Sequence, residues 1–436
     1  MTLLDARGQT LSTSERSSAE AYDRALALFN GFRSDPLAVL EAALAQEPGF
    51  VSGRLMQAGL LLGAFDGQLL PMAQSALDAA AACARHANAR EKSLLGALTP
   101  WAAGDLKRGS DRLGRHLVDH PRDLFALQLA HLGDLLLGQS QMLRDRVARV
   151  LGHWSRDDVG YGYVLGMHAF GLEECNEYAR AESLGRRAVE LQPHDVWAVH
   201  AVAHVCEMQG RAADGIAWLS ATRGDWAIDN GMAVHNHWHL ALMHLSNDDT
   251  AAALALYDDA VAPGPQSLAM DLSDASALLW RLTLRGSDVG ARWQSLAARW
   301  RQQAAWGSVA FNDMHAMMAL AAAGDAEGAA QGARAIAAAA AAGDSPAYEL
   351  AAPACEALQA FAAGDHADCA ERLLPLLAAT QALGGSHAQR DLLHLTAVGA
   401  AARAGHSALA RALTDERAAR KATATRATPT LECVPA

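Results

Sequence analysis

Apolar residues along this chain recur at intervals of three and four, and no stretch alternates Val, Ile or Thr with polar residues over the length of a strand. That spacing predicts helices throughout. "YVLGMHAFGLEECNEYARAESLGRRAVELQP" (163–193) reads as one helix–turn–helix unit. Comparable helix–turn–helix units can be laid elsewhere. "PWAAGDLKRGSDRLGRHLVDHP" ends one at Pro121, and another surrounds residues 233–264. "MHAMMALAAAGDAEGAAQGARAI", "APACEALQAFAAGDHADCAERLLPLL" and "HLTAVGAAARAGHSALARALTDE" each place Gly-Asp or Gly-His in the turn between two helices.

A longer period lies over the short one. With Pro193 as the closing proline of a 34-residue unit, the small-residue sites eight, twenty and twenty-seven fall on Ala169, Ala181 and Ala188. One period later the eighth site is Ala203 and the turn glycine is Gly210. This is the pattern of tetratricopeptide repeats. The predicted fold is all-α, an α-solenoid of tetratricopeptide-like repeats curled around a central groove or pocket. Stacked repeats share one continuous core, so residues 16–417 are expected to form a single array, with a flexible start (1–15) and a disordered tail (418–436).

Composition narrows the function classes. The net charge is −12 and lysine occurs only at Lys92, Lys107 and Lys421, which leaves no dense basic patch for nucleic acid. The six cysteines form no Cys-x-x-Cys pair and read as free or buried thiols of a reducing compartment. The first residues lack a basic segment followed by an apolar one, and the alanine run 335–343 is too weakly apolar to span a bilayer. A cytoplasmic protein without a membrane partner is expected.

Histidine is the exception to this bland composition, since eight of the eighteen lie between residues 168 and 244. In a tetratricopeptide repeat, sites two, five, nine and twelve of the first helix line the concave side. In the repeat starting at Val196 these include His200, His204 and Glu207; in the preceding one they include Tyr163 and Glu173. The next helix, "VHNHWHLALMH", turns inward either His235 with His239 or His237 with His244. The first choice sets two His-x-x-x-His pairs opposite each other. They can hold a divalent metal such as zinc, with Glu207 orienting a ring or ligating. They can equally form a metal-free acid/base pocket, or be structural histidines satisfied by their neighbours. His168 falls at a packing site and reads as a core histidine.

Further candidates flank this group. "FNDMHAMMAL" supplies Asn312, Asp313 and His315 at the start of a helix, where Asp313 is either a base or an acid favoured by the helix dipole. Trp226, in the segment that breaks the repeat spacing, is either a lid or a plug between units. In "LGGSHAQRD", Ser386 and Gln389 form a capping box. Arg390 is either an anion clamp or an ion-pair partner of Asp391.

The ordered strings "VHAVAHVCEMQG", "HNHWHLAL", "FNDMHAMMAL" and "LGGSHAQRD" resemble the tetratricopeptide-repeat protein 38 family, over about residues 160–395. The resemblance implies an all-helical repeat architecture and carries no settled activity. Its matching positions are His200, His204, Glu207, His235, Asn236, His239, Asn312, Asp313, His315, Gln389 and Arg390, and they favour His235 with His239 as the inward pair.

Two functions follow. One is a pocket for a small, anionic molecule. Its catalytic candidates are His204, Glu207, His239 and Asp313, and its metal ligands His200, His204, His235 and His239. Ligand contacts would come from Tyr163, Glu173, Trp226, Asn236, Asn312, His315 and Arg390. Hydrolysis or lyase-type proton abstraction fits such a pocket, by metal or by His–carboxylate chemistry. The other is a scaffold that takes a peptide or protein in its groove. A small-molecule ligand is favoured over a peptide, and a homodimer is compatible with either. No nucleophile elbow, phosphate loop or dinucleotide fingerprint is present.

Overall fold

Turns between paired helices share one chemistry. Gly104, Gly324 and Gly364 take φ of 92°, 73° and 84°, the left-handed region that ends a helix. The aspartate after each starts the next helix. Asp105, Asp325 and Asp365 accept the backbone N–H three residues on, at 2.9, 3.0 and 3.1 Å.

The computed structural model describes residues 3–265, 267–343 and 345–421. After a hairpin of β1 (Leu3–Leu4) and β2 (Thr10–Leu11) come α1 (Arg16–Asn30), α2 (Pro36–Gln46), α3 (Val51–Gly63), α4 (Leu70–Ala82), α5 (Ala89–Ala102), α6 (Leu106–Asp119), α7 (Leu124–Leu136), α8 (Ser140–Leu151), α9 (Tyr161–Glu173) and α10 (Tyr178–Leu191). There follow α11 (Val196–Met208), α12 (Ala212–Ala221), the short α13 (Arg223–Trp226), α14 (Ala233–Ser246), α15 (Thr250–Leu256), α16 (Ala269–Leu284) and α17 (Arg292–Gln303). The last are α18 (Ala310–Ala322), α19 (Ala326–Ala341), α20 (Pro346–Ala362), α21 (His366–Leu373), α22 (His387–Arg403) and α23 (Ser407–Arg420). The protein is all-α and tetratricopeptide-like, with successive helices packed as neighbours. It divides into two compact units, Met1–Val202 with Thr222–Ala233, and Ala203–Ala221 with Val234–Ala436, where the sequence suggested one undivided array.

In the first unit residues 3–15 are ordered rather than flexible. Leu3 pairs with Leu11 and Leu4 with Thr10. Leu11 is fully buried, and Glu91 of α5 accepts the Ser12 N–H at 3.0 Å. A short hairpin gains little by itself; burial of Leu11 and this carboxylate fix it. Gly171 lets α9 approach α8, because a Cβ there would lie 2.5 Å from the Leu143 carbonyl oxygen.

In the second unit the core runs from Trp238 to Leu413. Its buried indoles are paired. Trp280 Nε1 donates to Thr396 Oγ1 at 2.9 Å and Trp300 Nε1 to Ser276 Oγ at 2.9 Å, joining α16 to α22 and α17 to α16. Helix α23 extends through Arg420, so residues 418–421 are not part of a disordered tail; the rest of that expectation, 422–436, falls outside the described residues. Among the described residues no helix is long and apolar enough to cross a membrane.

Candidate metal centre

Helix α11 is buried on every side; Ala198, Val199, Val202, Ala203, Val205 and Cys206 are all fully enclosed. Its polar residues are therefore inside as well. His204 is fully buried and Glu207, three residues on, is 4% exposed. On α14, His235 and His239 are one turn apart and share a side of the helix. Within the second unit these two helices bring His204, His235 and His239 together, with one ring nitrogen from each within 4.8 Å of the others. Ring centroids are 4.3 Å apart for His204 and His239 and 4.8 Å for His235 and His239. His235 and His239, and not His237, make this group.

The hydrogen bonds at the outer edges of the rings define their chemistry. His239 Nδ1 lies 2.8 Å from Glu207 Oε2, and His235 Nδ1 lies 2.8 Å from Asp274 Oδ2 of α16. A carboxylate only accepts, so both imidazoles carry a proton on Nδ1. The other oxygen of Glu207, Oε1, accepts from Lys421 Nζ at 2.7 Å. With both oxygens engaged, Glu207 acts on His239 rather than as a ligand. Zinc–nitrogen bonds of about 2.0–2.1 Å place tetrahedral ligands about 3.3 Å apart. The three nitrogens, no more than 4.8 Å apart, need only a modest contraction to reach this.

Burial sets the protonation. It pushes the His204 imidazole well below its ordinary value, helped by His239 and opposed by Glu207. Burial also lowers His239, while the hydrogen bond to Glu207 pulls it back. For Glu207 burial alone would raise the carboxyl. The Lys421 ammonium and the His239 donor outweigh it and hold the group well below the usual carboxylate range. At neutral pH His204 and His239 are neutral and Glu207 is anionic, the states that metal ligation requires.

His200 stands one turn before His204 on α11, but in the first unit, where its ring stacks on Phe170 at 5.3 Å and tilts against Trp197 at 5.0 Å. The first unit also holds Tyr163, whose hydroxyl accepts from Gln192 Nε2 at 3.2 Å, and the fully buried Glu173 and Trp226.

The remaining candidates lie in the second unit. Asn236, between the two histidines of α14, is fully buried, and neither its Oδ1 nor its Nδ2 has a hydrogen-bond partner among the described residues. Asn312 Oδ1 accepts from Ser273 Oγ at 3.3 Å. His315 Nδ1 donates to the Phe311 carbonyl at 2.8 Å, and burial pushes its pKa down to about 4. Asp313 turns to a different side of α18 and accepts from Tyr348 Oη at 2.7 Å and Gly307 N–H at 2.8 Å; burial raises it to about 6. These partners belong to α20 and to the turn before α18, so Asp313 is not brought to the imidazoles. Ser386 and Gln389 form the expected capping box. Asp391 pairs with Arg417 at 2.7 Å and not with Arg390, whose Nη1 donates to the Gly385 carbonyl.

Three residues of this neighbourhood escaped the sequence reading: Lys421, Asp274 and Arg281. The last two had a visible signal, since charges at 274 and 281 fall seven residues apart in a largely apolar helix and so share a face.

No protein-family model matches the chain. Among solved structures, the human IFIT1 dimer with m7Gppp-AAAA is similar at a TM-score of 0.41 and 11% identity, over 94% of this chain and 90% of that chain. The chain is not assigned to a family.

Proposed function

We propose that the second unit carries a divalent-metal centre, most simply zinc, held by Nε2 of His235 and His239 and a ring nitrogen of His204. One observation carries this reading: two of the three rings have Nδ1 bound to a buried carboxylate at 2.8 Å. Carboxylate–histidine pairs of this kind fix the ring and the tautomer for metal ligation. A bound divalent ion would lower the pKa of water and polarise a carbonyl or phosphoryl oxygen. In this reading Glu207 and Asp274 position the rings. Asn236, whose buried amide has no partner among the described residues, hydrogen-bonds the substrate. The favoured activity is hydrolysis or a lyase reaction on a small anionic molecule, in a protein of the tetratricopeptide-repeat protein 38 type. A peptide scaffold is less well supported, because His204 and His239 are fully buried and a groove reading needs them accessible.

The test is elemental analysis of the full chain after zinc loading and dialysis, with H204A and H239A alongside. The wild type should retain about one ion per chain. Both variants should lose it while keeping the helical circular-dichroism spectrum. Wild type that retains neither zinc, cobalt nor manganese would end the metal reading.

A further inference from the structure

Helix α16 buries an arginine that makes no ion pair among the described residues. Arg281 is 5% exposed, and arginine is almost never buried unless paired. Its Nη2 donates to the Ala388 carbonyl at 2.7 Å and its Nη1 to the Ala277 carbonyl at 3.2 Å. Neither is an anion, and no carboxylate among the described residues lies within ion-pair distance of it. The surrounding acids are committed elsewhere: Asp274 to His235, Asp391 to Arg417, and Glu207 to His239 and Lys421. Two of the five N–H donors of the guanidinium are thus used on backbone, and Asp391, Glu207 and Asp274 act on its charge only from a distance, without a direct ion pair.

Its position relates it to the imidazoles. The guanidinium carbon sits 5.3 Å from the centre of the Trp238 ring. The same indole stacks on His235 at 5.2 Å and meets His239 edge-on at 4.8 Å. The guanidinium and the two imidazoles thus all contact one buried indole, which places the guanidinium within about 10.5 Å of both rings. On α14, Trp238 and Asn236 project to opposite sides of the His235–His239 face. The histidine face is thus flanked by the Asn236 amide on one side and by Trp238, which carries Arg281 at its ring, on the other.

We propose that Arg281 is the anion anchor of this site and that the ligand presents a carboxylate to it. The chemistry favours a carboxylate over other anions. The guanidinium is a planar fork matched to two coplanar oxygens, and contact with Trp238 holds that plane. Charge supports the assignment. Leaving the imidazoles aside, Glu207, Asp274 and Asp391 are balanced by Lys421, Arg417 and Arg281, so a divalent ion brings an excess of positive charge that an anionic ligand offsets. That last step rests on the metal reading; the buried guanidinium without a direct ion pair does not. Arg390, the arginine that the sequence pointed to, already donates to a backbone carbonyl beside its own helix.

The experiment is thermal melting of the full chain, metal-stripped and zinc-loaded, titrated with acetate, succinate or inorganic phosphate against sodium chloride of equal ionic strength. A saturable upward shift is expected with a carboxylate, larger than with phosphate. R281Q should weaken it about ten-fold or more, R390Q should leave it intact, and R281Q should keep the zinc stoichiometry of wild type. R281K keeps the charge and loses the fork; it should fold, weaken succinate less than R281Q does, and decide the matter if R281Q does not fold. The proposal is overturned if wild type shows no carboxylate response in either form, if phosphate is preferred, or if R281Q or R281K binds as wild type does. An Arg281-dependent carboxylate response in protein that retains no metal would keep the anchor and remove only the metal reading.

Discussion

Asp313→Asn separates a structural aspartate from a catalytic one, and its size follows from the structure. Asp313 is 3% exposed, and burial raises its carboxyl from the ordinary 3.8 to about 6. A carboxyl whose folded pKa is raised binds its proton more tightly in the folded state. Its contribution to stability is fully present below pH 3.8 and lost as pH rises through about 6. The full loss, at about 1.4 kcal/mol per unit, is about 3 kcal/mol above neutrality and about 1 kcal/mol at about pH 4.5. Asparagine does not ionise, and its Oδ1 can still accept from Tyr348 Oη and Gly307 N–H. Any pH-independent cost of the amide cancels when two pH values are compared. The stability of D313N relative to wild type should therefore rise by about 2 kcal/mol between about pH 4.5 and pH 7.5. Hydrogen exchange of α18 amides measures this locally, without assuming that the two units unfold together. An Asn-minus-Asp difference that is flat with pH, or that falls as pH rises, refutes the burial argument. Preserved turnover in D313N would place Asp313 among the packing residues.

Glu207→Gln should lower zinc affinity 10- to 100-fold, read by competition with a chromophoric chelator, because it weakens the acceptor that sets the His239 tautomer; unchanged affinity would deny Glu207 that role. Lys421→Met leaves the buried Glu207 carboxylate without its cation, and a loss of about 3–5 kcal/mol is expected in urea unfolding of the second unit. A loss under about 1 kcal/mol would mean that the pair does not persist in solution. Gly166→Ala would place a Cβ 2.3 Å from Asp195 Oδ2, a fully buried group that caps α11 through Ala198 N–H at 3.0 Å. A cost of about 1–3 kcal/mol is expected from hydrogen exchange in the first unit, and a neutral substitution would show that α9 and α11 can separate without penalty.

What could be read without coordinates was whatever short-range periodicity records. The small-residue sites at Ala169, Ala181, Ala188 and Ala203 are all fully buried in the structure, and three- and four-residue spacing was enough to draw the helices that carry them. The same spacing places His235 and His239 on one side of α14 and sends Asp313 away from Asn312 and His315 on α18. Contacts between residues far apart in sequence left no trace of this kind. Lys421 meets Glu207 across 214 residues, and in the sequence it is one lysine in an unpatterned tail. The hairpin at Leu3–Leu11 has strands of two residues, too short to alternate visibly, and is held by a carboxylate 79 residues further on. Arg281 and Arg390 show the difference most directly. An arginine near a helix N-terminus looks like a clamp, whereas one inside an apolar helix looks like a lapse in the pattern. The structure reverses their standing: Arg390 spends a donor on the turn beside it, and Arg281 is buried, close over the Trp238 ring, and without an ion pair among the described residues. Departures from the apolar pattern are costly to fold, so those that remain in a well-packed interior are where chemistry is most profitably sought. Within the second unit they converge from α11, α14 and α16 on the same small group of imidazoles.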